Sequence, residues 1–416
     1  MGGCVRDMRL GRIPEDWDVT TSALPEETLT IFGACALPTG LKHGTVTVRQ
    51  GGKAIEVTTY RKDGDYLDHR RPERVEFTAS LEEDLLRRDF TVNAMAVNLQ
   101  GEFRDPFGGL ADLEKGILRC VGDADRRFEE DALRILRGIR FSACLGLDIE
   151  PLTARSIHIK KDLLREIAAE RIWVELAKLL TGPGADRVLR EYVDVIGVFW
   201  PELLPLVGLD QKNCHHCYDA WEHTLQAVRN TEQDLLLRCA VVLHDVGKPQ
   251  CMTVDENGVG HFYGHPAVSQ QMADEMLRRL RVDNATRETV VRLVAWHDRN
   301  IPRTDRGIRR ALRELGEADL RRLLAVKRAD NLAQAPEYHG LQAEIDKAER
   351  IMDHLLSENA CFSLKQLAVS GRDLMALGAR GPAVGEGLDQ LLDAVVDGRV
   401  ENTKQALLDY YQTIKR

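Results

Sequence analysis

The sequence predicts an α+β fold, in which a small palm-like head with a sheet precedes a largely all-α remainder. Up to about residue 113, short strand-like segments at 44–48, 54–59 and 94–98 alternate with turn signals. From about residue 114 onward, apolar residues recur at helical spacing instead. A chain of 416 residues also exceeds what one hydrophobic core normally holds, so we expect about two to four domains.

The composition indicates a soluble, globular protein. Charged residues make up 30% of the chain and hydrophobic residues 44%, and no apolar run approaches the roughly 20 residues that span a membrane. Nothing at the start resembles a signal peptide, and the nine cysteines show no secreted-type disulfide framework. A cytoplasmic, reducing location is therefore expected. Cys214 and Cys217 flank two histidines, but no second Cys/His pair follows at zinc-finger spacing, so we interpret both as loop and packing residues.

Breaks in the helical pattern divide the chain further. Two prolines at 201 and 205 and the polar stretch 211–214 indicate a domain junction, and a second break falls near 357–363. We predict a head at 1–113, a helical neck at 114–205, a helical domain at 215–335 and a helical tail at 360–416. Gly2 and Gly3 would normally follow a strand, so we expect either that the first strand of the head is missing or that the start was assigned late.

Two carboxylates lie close together in the head, at Asp16 and Asp18. On an extended strand, residues i and i+2 point to the same side. Hard oxygen ligands held in this way suit two magnesium ions that bridge a nucleotide triphosphate. Upstream, Gly3 offers exposed backbone N–H groups and Arg6 a cation for phosphates. Strands often end in solvated acids, so the interpretation depends on the residues that follow.

Arginines follow in two later motifs. Arg88, in RRDFTVNAMA, could reach a ribose or a triphosphate, or it could complement the dipole at a helix C-terminus. In EEDALRILRGIR, Asp131 and Arg134 are neighbours at i, i+3 on a predicted helix, and Arg137 continues the row. Most such pairs are surface ion pairs. The alternative is that Asp131 and Arg134 face a nucleobase.

The base-reading alternative has a definite chemistry. A carboxylate accepts from an exocyclic amine, and a guanidinium donates to the ring nitrogen or carbonyl beside it. Cytosine and adenine both present an amine next to an acceptor, whereas uracil and guanine place a carbonyl where the carboxylate lies. The pair formed by Asp131 and Arg134 could therefore select C and A without a template strand.

Histidines and aspartates recur through the helical half of the chain. The set consists of His223, His244, Asp245, His265, His297 and Asp330. A lone helical histidine is usually a packing or surface residue. Here an adjacent His-Asp follows a buried helix, and the other members come from separate helices, which favours a metal site in the core of a bundle. The sequence leaves the identity of this divalent metal open.

Charge alone does not define a nucleic-acid surface. The net charge is −9, although a local face can still bind nucleic acid. The segment 278–328 is rich in arginine, including Arg278, Arg279, Arg281, Arg309, Arg310, Arg313, Arg321 and Arg322. A solvated helix face with ion pairs and an RNA-binding track are equally compatible with this pattern.

The chain resembles the class II tRNA nucleotidyltransferases, the CCA-adding enzymes of the poly(A) polymerase-like superfamily. The matching segments are GGCVRD with its downstream DWD, IEVTTYR, RRDFTVNAMA, DPFGGLADL, EEDALRILRGIRF and AAERIWVELAKLL, in the family's order over about the first half. The segment LAVSGRDLMALG is similar to the family's C-terminal body and tail.

The resemblance implies template-independent addition of C, C and A to the 3′ end of tRNA from CTP and ATP, with neither membrane nor DNA as a partner. It assigns Asp16 and Asp18 as Mg²⁺ ligands, Gly3, Arg6 and Arg88 as nucleotide contacts, and Asp131, Arg134, Arg137 and Arg140 as a base-reading and phosphate-binding helix. Glu56 is either a third acid near the metals or a structural strand-end acid. Asp105 with Gly108 and Gly109 matches a hinge between head and neck.

The histidine and aspartate set resembles the HD phosphohydrolase superfamily. That resemblance implies a two-metal site able to hydrolyse phosphoesters, such as a 2′,3′-cyclic phosphate at a damaged tRNA end. Five alternatives remain. CC-adding, A-adding or poly(A)-synthesising enzymes share the head motifs and differ in the tail and in a mobile loop, here expected at 61–74. An HD hydrolase with an inert head and a non-catalytic RNA-binding protein are the others.

Overall fold

The computed structural model describes residues 1–14, 16–63 and 75–415. These residues form two compact units. The N-terminal unit contains residues 1–204 and 276–282, and the C-terminal unit contains residues 205–275 and 283–416. The predicted α+β class is confirmed. The division into four domains stays a prediction.

A four-stranded sheet forms the centre of the head. Its strands are β1 (Asp18–Thr21), β2 (Ala36–Gly40), β3 (Thr45–Gln50) and β4 (Lys53–Thr59). The spatial order is β1-β4-β3-β2, in which β1 and β4 run parallel and the other pairs antiparallel. Val46, Val48 and Val57 form a small apolar cluster with Ala36, and the helix Pro25–Phe32 packs against this cluster. One face of the sheet is therefore buried.

Short elements complete the N-terminal unit. Its other two-stranded pairs are Arg61–Asp63 with Val75–Phe77, Ala96–Val97 with Phe103–Arg104, and Ile117–Leu118 with Asp148–Ile149. Its helices are Gly3–Arg9, Pro25–Phe32, Leu81–Leu86, Gly109–Glu114, Ala124–Glu130, Leu133–Leu145, Pro151–Lys160, Ala169–Leu180, Ala185–Glu191 and Val193–Ile196. The predicted strand at 94–98 is therefore shorter than expected.

The helix Leu133–Leu145 carries the arginines of the site. Ile135, Leu136 and Ile139 are fully buried on one side of it, and Gly146 ends it in the left-handed conformation. The prediction of one continuous helix through Asp131 and Arg134 is wrong. Asp131 is extended at the end of the preceding helix Ala124–Glu130, and its carboxylate accepts the Leu133 N–H (3.1 Å).

The C-terminal unit is largely helical. Its helices are Ala220–Arg229, Leu235–Leu243, Lys248–Cys251, Asn284–Trp296, Asp305–Leu332, Leu341–Ser357, Gly371–Ala376, Pro382–Val396 and Lys404–Ile414. The helix His265–Arg279 begins in this unit, and Thr253–Val254 pairs with Gly260–His261 as a hairpin. Leu374, Leu391 and Leu407 are fully buried in a separate core of the tail. Within the described ranges, no helix is both long and apolar enough to cross a membrane.

Close packing explains the glycine pair of the segment DPFGGLADL. Gly108 has a φ of +74°, and a Cβ at Gly109 would lie 2.1 Å from the carbonyl oxygen of Thr91. The Asp105 carboxylate accepts the N–H groups of Gly109 (2.7 Å) and Leu110 (2.9 Å), which caps the helix Gly109–Glu114. Local packing already explains why glycine is needed at both positions. The hinge predicted at these glycines stays a prediction.

Gly109→Ala should destabilise the protein by at least ~2 kcal/mol, because the new methyl group would meet backbone atoms that cannot move aside cheaply. Thermal unfolding measures the effect. Gly385→Ala is the control, since Gly385 lies exposed in a helix with open space around its Cα, and alanine there should stabilise by up to ~1 kcal/mol. Equal effects of both substitutions would contradict this explanation.

Candidate active site and metal centre

A cavity of about 650 Å³ opens in the N-terminal unit. Seven of the residues predicted to bind the nucleotide or its metal ions line it: Gly3, Arg6, Asp16, Asp18, Arg88, Arg137 and Arg140. Arg12 and Lys178 add two further cations to its wall. Asp7 and Asp89 also line it, so the cavity combines four carboxylates with six cationic side chains. Exposed carboxylates beside several cations suit a polyphosphate held together with metal ions.

The two carboxylates approach the cavity from the start of β1. Asp18 is the first residue of β1, and Asp16 lies two residues earlier in a bend, so the strand is shorter than predicted. Both residues are exposed. Glu56 on β4 pairs in register with Asp18, and register partners in a sheet share a face. Asp16 and Asp18 line the cavity and Glu56 does not, so a role of Glu56 as a third metal ligand stays a prediction.

Arg6 and Arg88 are held beside these acids. Arg6 is buried and donates to the Asn93 Oδ1 (2.6 Å), and its guanidinium lies 5.1 Å from the ring centre of Phe141. Arg88 lies 3.7 Å from the Asp84 carboxylate, and its Nε is buried without a hydrogen-bond partner. Burial lowers the pKa of Arg88, although Asp84 opposes this shift. A buried guanidinium of this kind lacks full compensation and is well placed for an anion.

Asp89 forms the buried polar link of the cavity wall. Its carboxylate accepts from Arg137 Nε (2.8 Å) and from the side-chain amide of Asn93 (3.1 Å). Burial on its own would raise the pKa of Asp89, but Arg137 and Asn93 outweigh burial and lower it to about 2. Arg140, one helical turn on, pairs with the buried Glu175 (2.5 Å). Carboxylates thus fix both arginines, Asp89 in the cavity wall and Glu175 outside the lining.

The predicted base-reading pair lies outside the lining of this cavity. Arg134 is buried and donates to the carbonyls of Arg87 (2.9 Å) and Arg127 (3.1 Å) and to Glu130 (2.8 Å). Asp131 is half-buried, 3.7 Å from Arg171. The structure therefore does not bring Asp131 and Arg134 together with Asp16 and Asp18 in one cavity, and their base-reading role stays a prediction.

Sequence reasoning missed several residues of the cavity. Asp89 and Asn93 stand in RRDFTVNAMA, the segment already noted for Arg88, and their spacing of four residues is the available signal. Phe141 and Lys178 lie in EEDALRILRGIRF and AAERIWVELAKLL, two segments already noted for the family resemblance. Neither residue type predicts by itself that tertiary packing brings the side chain to the cavity, so neither was singled out.

The second predicted set converges in the C-terminal unit. His223, His244 and Asp245 form one group of metal-type ligand atoms and Asp245, His265 and His297 another, each with its atoms within 4.8 Å of one another. All five side chains are buried. Asp330 Oδ1 lies 2.8 Å from His223 Nε2 and 3.6 Å from His244 Nε2. The structure thus brings all six predicted residues together.

Backbone contacts orient the four imidazoles. The Nδ1 atoms lie within hydrogen-bond distance of backbone carbonyls: His223 of Ala333 (3.2 Å), His244 of Val241 (2.6 Å), His265 of Phe262 (2.9 Å) and His297 of Val294 (2.6 Å). An Nδ1–H that donates to a carbonyl leaves the Nε2 lone pair for a metal. His244 Nε2 and Asp245 Oδ2 are buried without a hydrogen-bond partner in good geometry, which fits atoms that bind a cation.

Three neighbours of this cluster lie outside the predicted set of six. Lys248 is buried, with its Nζ 2.6 Å from Asp245 Oδ2 and donating to Gln211 Oε1 (2.8 Å). His216 stacks edge-on against His223 with ring centres 4.9 Å apart. Lys248 stands three residues after Asp245, so helical spacing was a usable signal; Gln211 and His216 lie in a loop and give none. Cys214 and Cys217 are exposed, as expected of loop residues.

Ion pairs occupy most of the arginine-rich segment. Arg279 pairs with Glu202, Arg281 with Glu170, Arg310 with Asp397, Arg313 with Asp393, Arg321 with Asp353 and Arg322 with Asp319. Guanidinium groups paired in this way have their charge compensated within the protein. The structure therefore favours the interpretation as ion-paired helix faces over that of an RNA-binding track.

Fold and cavity together define a nucleotidyltransferase head attached to helical domains. The family model of the poly(A) polymerase head domain matches residues 1–119, that of the RNA and SrmB-binding site of polymerase A matches 146–195, and that of tRNA nucleotidyltransferase domain 2 matches 263–411. Such a head implies dependence on a divalent metal ion.

Known proteins extend this similarity to the full chain. A CCA-adding enzyme of Geobacillus stearothermophilus is 36% identical over 413 residues, 98% of this chain and 90% of the relative. A CCA-adding enzyme of Oceanobacillus iheyensis is 47% identical over 195 residues, so that alignment covers 47% of this chain and spans about half (48%) of the relative. The crystal structure of the Bacillus stearothermophilus CCA-adding enzyme in complex with CTP has a TM-score of 0.71 at 32% identity, covering 100% of this chain and 92% of that one. The chain belongs to the family of CCA-adding enzymes.

The ion pair of Asp89 should make the stability of the N-terminal unit depend on pH. The pKa of Asp89 is lowered to about 2 in the folded chain. The ion pair therefore contributes fully to the free energy of unfolding above the unfolded pKa of about 4, and this contribution is lost as the pH falls towards 2. Asp89→Asn should lower the free energy of unfolding by about 2 kcal/mol at pH 7. The difference in this free energy between variant and native chain should become smaller below about pH 4.

Hydrogen exchange of the amides in Leu133–Leu145 measures this effect within the unit. Asp162→Asn is the control, since Asp162 forms an exposed ion pair with Arg165 and should change stability by less than ~0.5 kcal/mol at any pH. A difference between Asp89→Asn and the native chain that does not vary with pH would exclude the proposed linkage.

Proposed function

We propose that the chain adds C, C and A to the 3′ end of tRNA from CTP and ATP, without a template. The observation that carries this proposal is the meeting of Asp16 and Asp18 with six cationic side chains in one cavity of about 650 Å³, in a chain of the CCA-adding family. The B. stearothermophilus relative that was solved with CTP supports the choice of a nucleotide triphosphate as substrate.

The residues of the cavity account for the parts of the transfer. Asp16 and Asp18, with Glu56 beside Asp18, would hold Mg²⁺, which lowers the pKa of the tRNA 3′-hydroxyl and neutralises charge on pyrophosphate. The 3′-oxygen forms a bond to the α-phosphorus, the bond to the β-phosphate oxygen breaks, and pyrophosphate leaves as the hydroxyl proton passes to solvent. Arg6 and Arg88 are placed to bind the triphosphate oxygens.

Base selection by Asp131 and Arg134 is part of the proposal. Arg134 donates to two backbone carbonyls and to Glu130, so reading a base requires it to exchange some of these bonds for contacts with the nucleotide. Arg137 and Arg140, which line the cavity on the same helix, would bind phosphate. A shift of the helix start near Asp131 would connect the two groups.

Narrower outputs remain as alternatives to full CCA addition. CC-adding, A-adding and poly(A)-synthesising enzymes would use the same carboxylates and cations. The loop predicted to distinguish them, at 61–74, lies outside the described residues beyond position 63. Full addition is preferred because full-length relatives at 33–36% identity are CCA-adding enzymes.

We propose a second activity for the C-terminal unit, the hydrolysis of a phosphoester by divalent metal ions bound at the six-residue cluster. Four imidazole Nε2 atoms and two carboxylates suit a transition metal such as Mn²⁺ better than Mg²⁺. Asp245 supports two ion positions, because Oδ2 faces His244 (3.2 Å) and Oδ1 faces His265 (3.3 Å). For a 2′,3′-cyclic phosphate, a water oxygen bonds to phosphorus, one ester bond opens, and the leaving ribose oxygen takes the proton.

Two rival interpretations are less favoured. A hydrolase with an inert head would not need two exposed carboxylates opposite six cations. A non-catalytic RNA-binding protein would not need a buried cluster of four histidines and two aspartates, which is costly without a cation. A cytoplasmic location stays a prediction.

The transfer activity predicts a defined pattern of products. Purified protein with tRNA lacking one, two or three 3′-terminal residues should add A, CA or CCA when both CTP and ATP are present, as read on sequencing gels. Asp16→Ala and Asp18→Ala should each lower the rate by at least ~100-fold, because each removes a metal-binding oxygen needed for charge stabilisation in the transition state.

Glu26→Ala is the matched control for these variants. Glu26 is an exposed acid of the head outside the cavity, and its loss should change the rate less than ~2-fold. Poly(A) tails on unrelated RNA, or addition that stops after C or CC, would refute full CCA addition.

If the cluster is the hydrolytic site, hydrolysis should be lost in His244→Ala and kept in a control variant. His244→Ala should lower Mn²⁺-dependent hydrolysis of adenosine 2′,3′-cyclic phosphate by at least ~100-fold and reduce bound metal in elemental analysis, with CCA addition retained. His354→Ala, an exposed histidine of the same unit, should leave both activities intact. Unchanged metal content and hydrolysis in His244→Ala would rule out the cluster as the hydrolytic site.

A further inference from the structure

Two stacked rings lie exposed on the chain segment that leads into the metal-ligand cluster. The rings of His261 and Tyr263 have centres 5.2 Å apart and planes within 8° of parallel. Tyr263 is 79% exposed, the most exposed aromatic side chain in the described part of the protein. We call this pair the aromatic platform. A single exposed tyrosine needs no explanation, but the platform is attached to the cluster by several contacts.

One line of contacts runs from the platform through a loop. The Gly260 N–H donates to the Lys212 carbonyl (2.7 Å), and a Cβ at Gly260 would lie 2.2 Å from the Gln211 carbonyl oxygen. Gln211 in turn accepts from Lys248 Nζ, which lies 2.6 Å from Asp245 Oδ2. The hairpin that carries His261 is therefore fixed against the loop that contacts the cluster.

A second line of contacts is shorter. Phe262, between the two platform residues, accepts from His265 through its carbonyl (2.9 Å), and its ring centre lies 5.3 Å from Lys248 Nζ. Only Gly264 separates Tyr263 from His265, so their Cα atoms are at most ~7 Å apart. On the other side, Asp255 Oδ2 lies 3.0 Å from His261 Nε2 and holds that ring in place.

Metal ligands, a cation and an exposed aromatic ring are the groups that bind the phosphate and the base of a nucleotide. A phosphoester at the cluster would meet Lys248, whose Nζ lies 2.6 Å from Asp245 Oδ2. Two positions before the cluster residue His265, the chain carries the Tyr263 ring, which is largely open to solvent. A nucleobase stacks on such a ring regardless of its identity. A phosphorylated small metabolite without an aromatic group would make no use of the platform.

We propose that the aromatic platform binds the base of a nucleotide whose phosphoester lies at the six-residue cluster. This inference rests on the proposed hydrolase, and it adds the residues that hold the base.

The test compares two cyclic diesters with the full-length, Mn²⁺-loaded protein. Adenosine 2′,3′-cyclic phosphate carries a base, and ethylene phosphate has the same five-membered ring without one. Tyr263→Ala should raise KM for the adenosine compound roughly 5- to 100-fold, the loss expected for one base stack, with kcat little changed. Its kcat/KM for ethylene phosphate should stay at the native value.

Two variants separate stacking from damage to the hairpin. Tyr263→Phe keeps the ring and should retain the native KM. Val254→Ala truncates an exposed side chain on the same hairpin and should also retain it. A KM that is insensitive to Tyr263→Ala, or one that rises equally for both diesters, would overturn the platform as a base-binding surface.

Binding without turnover distinguishes failure of this inference from failure of the hydrolase. Calorimetry with adenosine 2′,3′-cyclic phosphate on the His244→Ala chain, with and without Tyr263→Ala, should show weaker binding in the double variant. If the native chain binds adenosine 2′,3′-cyclic phosphate but does not hydrolyse it, and Tyr263→Ala weakens this binding, the hydrolase proposal is overturned and the platform proposal is upheld. Absence of both binding and hydrolysis would overturn both.

Discussion

The buried carboxylate of Asp89 is the contact on which the nucleotide cavity depends. It accepts from Arg137 on the helix Leu133–Leu145 and from Asn93, which in turn accepts from Arg6. One hydrogen-bonded chain thus joins three segments of the N-terminal unit across the cavity wall. Such a buried network is favourable only when each member keeps its partner, so the positions of the two arginines are determined together.

The sequence predicted the fold where a pattern was local and strong. The strands Thr45–Gln50 and Lys53–Thr59 alternate apolar and polar residues, and both were expected within one or two positions. The strand Ala36–Gly40 was missed because its proline and glycine are typical of turns. The break at Asp131 was also missed, since an aspartate inside a helical pattern gives no sign that it will cap the next helix.

The same distinction holds for the two sites. Asp16 and Asp18, and the adjacent pair His244-Asp245, were visible because residues that act together in space also stand close together in sequence. The contacts of Asp89 with Arg137 and of Gln211 with Lys248 were not, because each joins residues that are tens of positions apart. Residue type alone also did not predict that Asp131 and Arg134 lie outside the cavity lining. A buried arginine can donate to backbone carbonyls instead of a ligand, as Arg134 does here.

The shared aspartate of the second cluster has a consequence for how that site would fill. Asp245 turns one oxygen towards His223 and His244 and the other towards His265 and His297. An ion bound between Oδ2, His223 and His244 would take the place of Lys248, which lies 2.6 Å from that oxygen. The two halves would therefore not fill independently, because each ion changes the charge that Asp245 offers to the other.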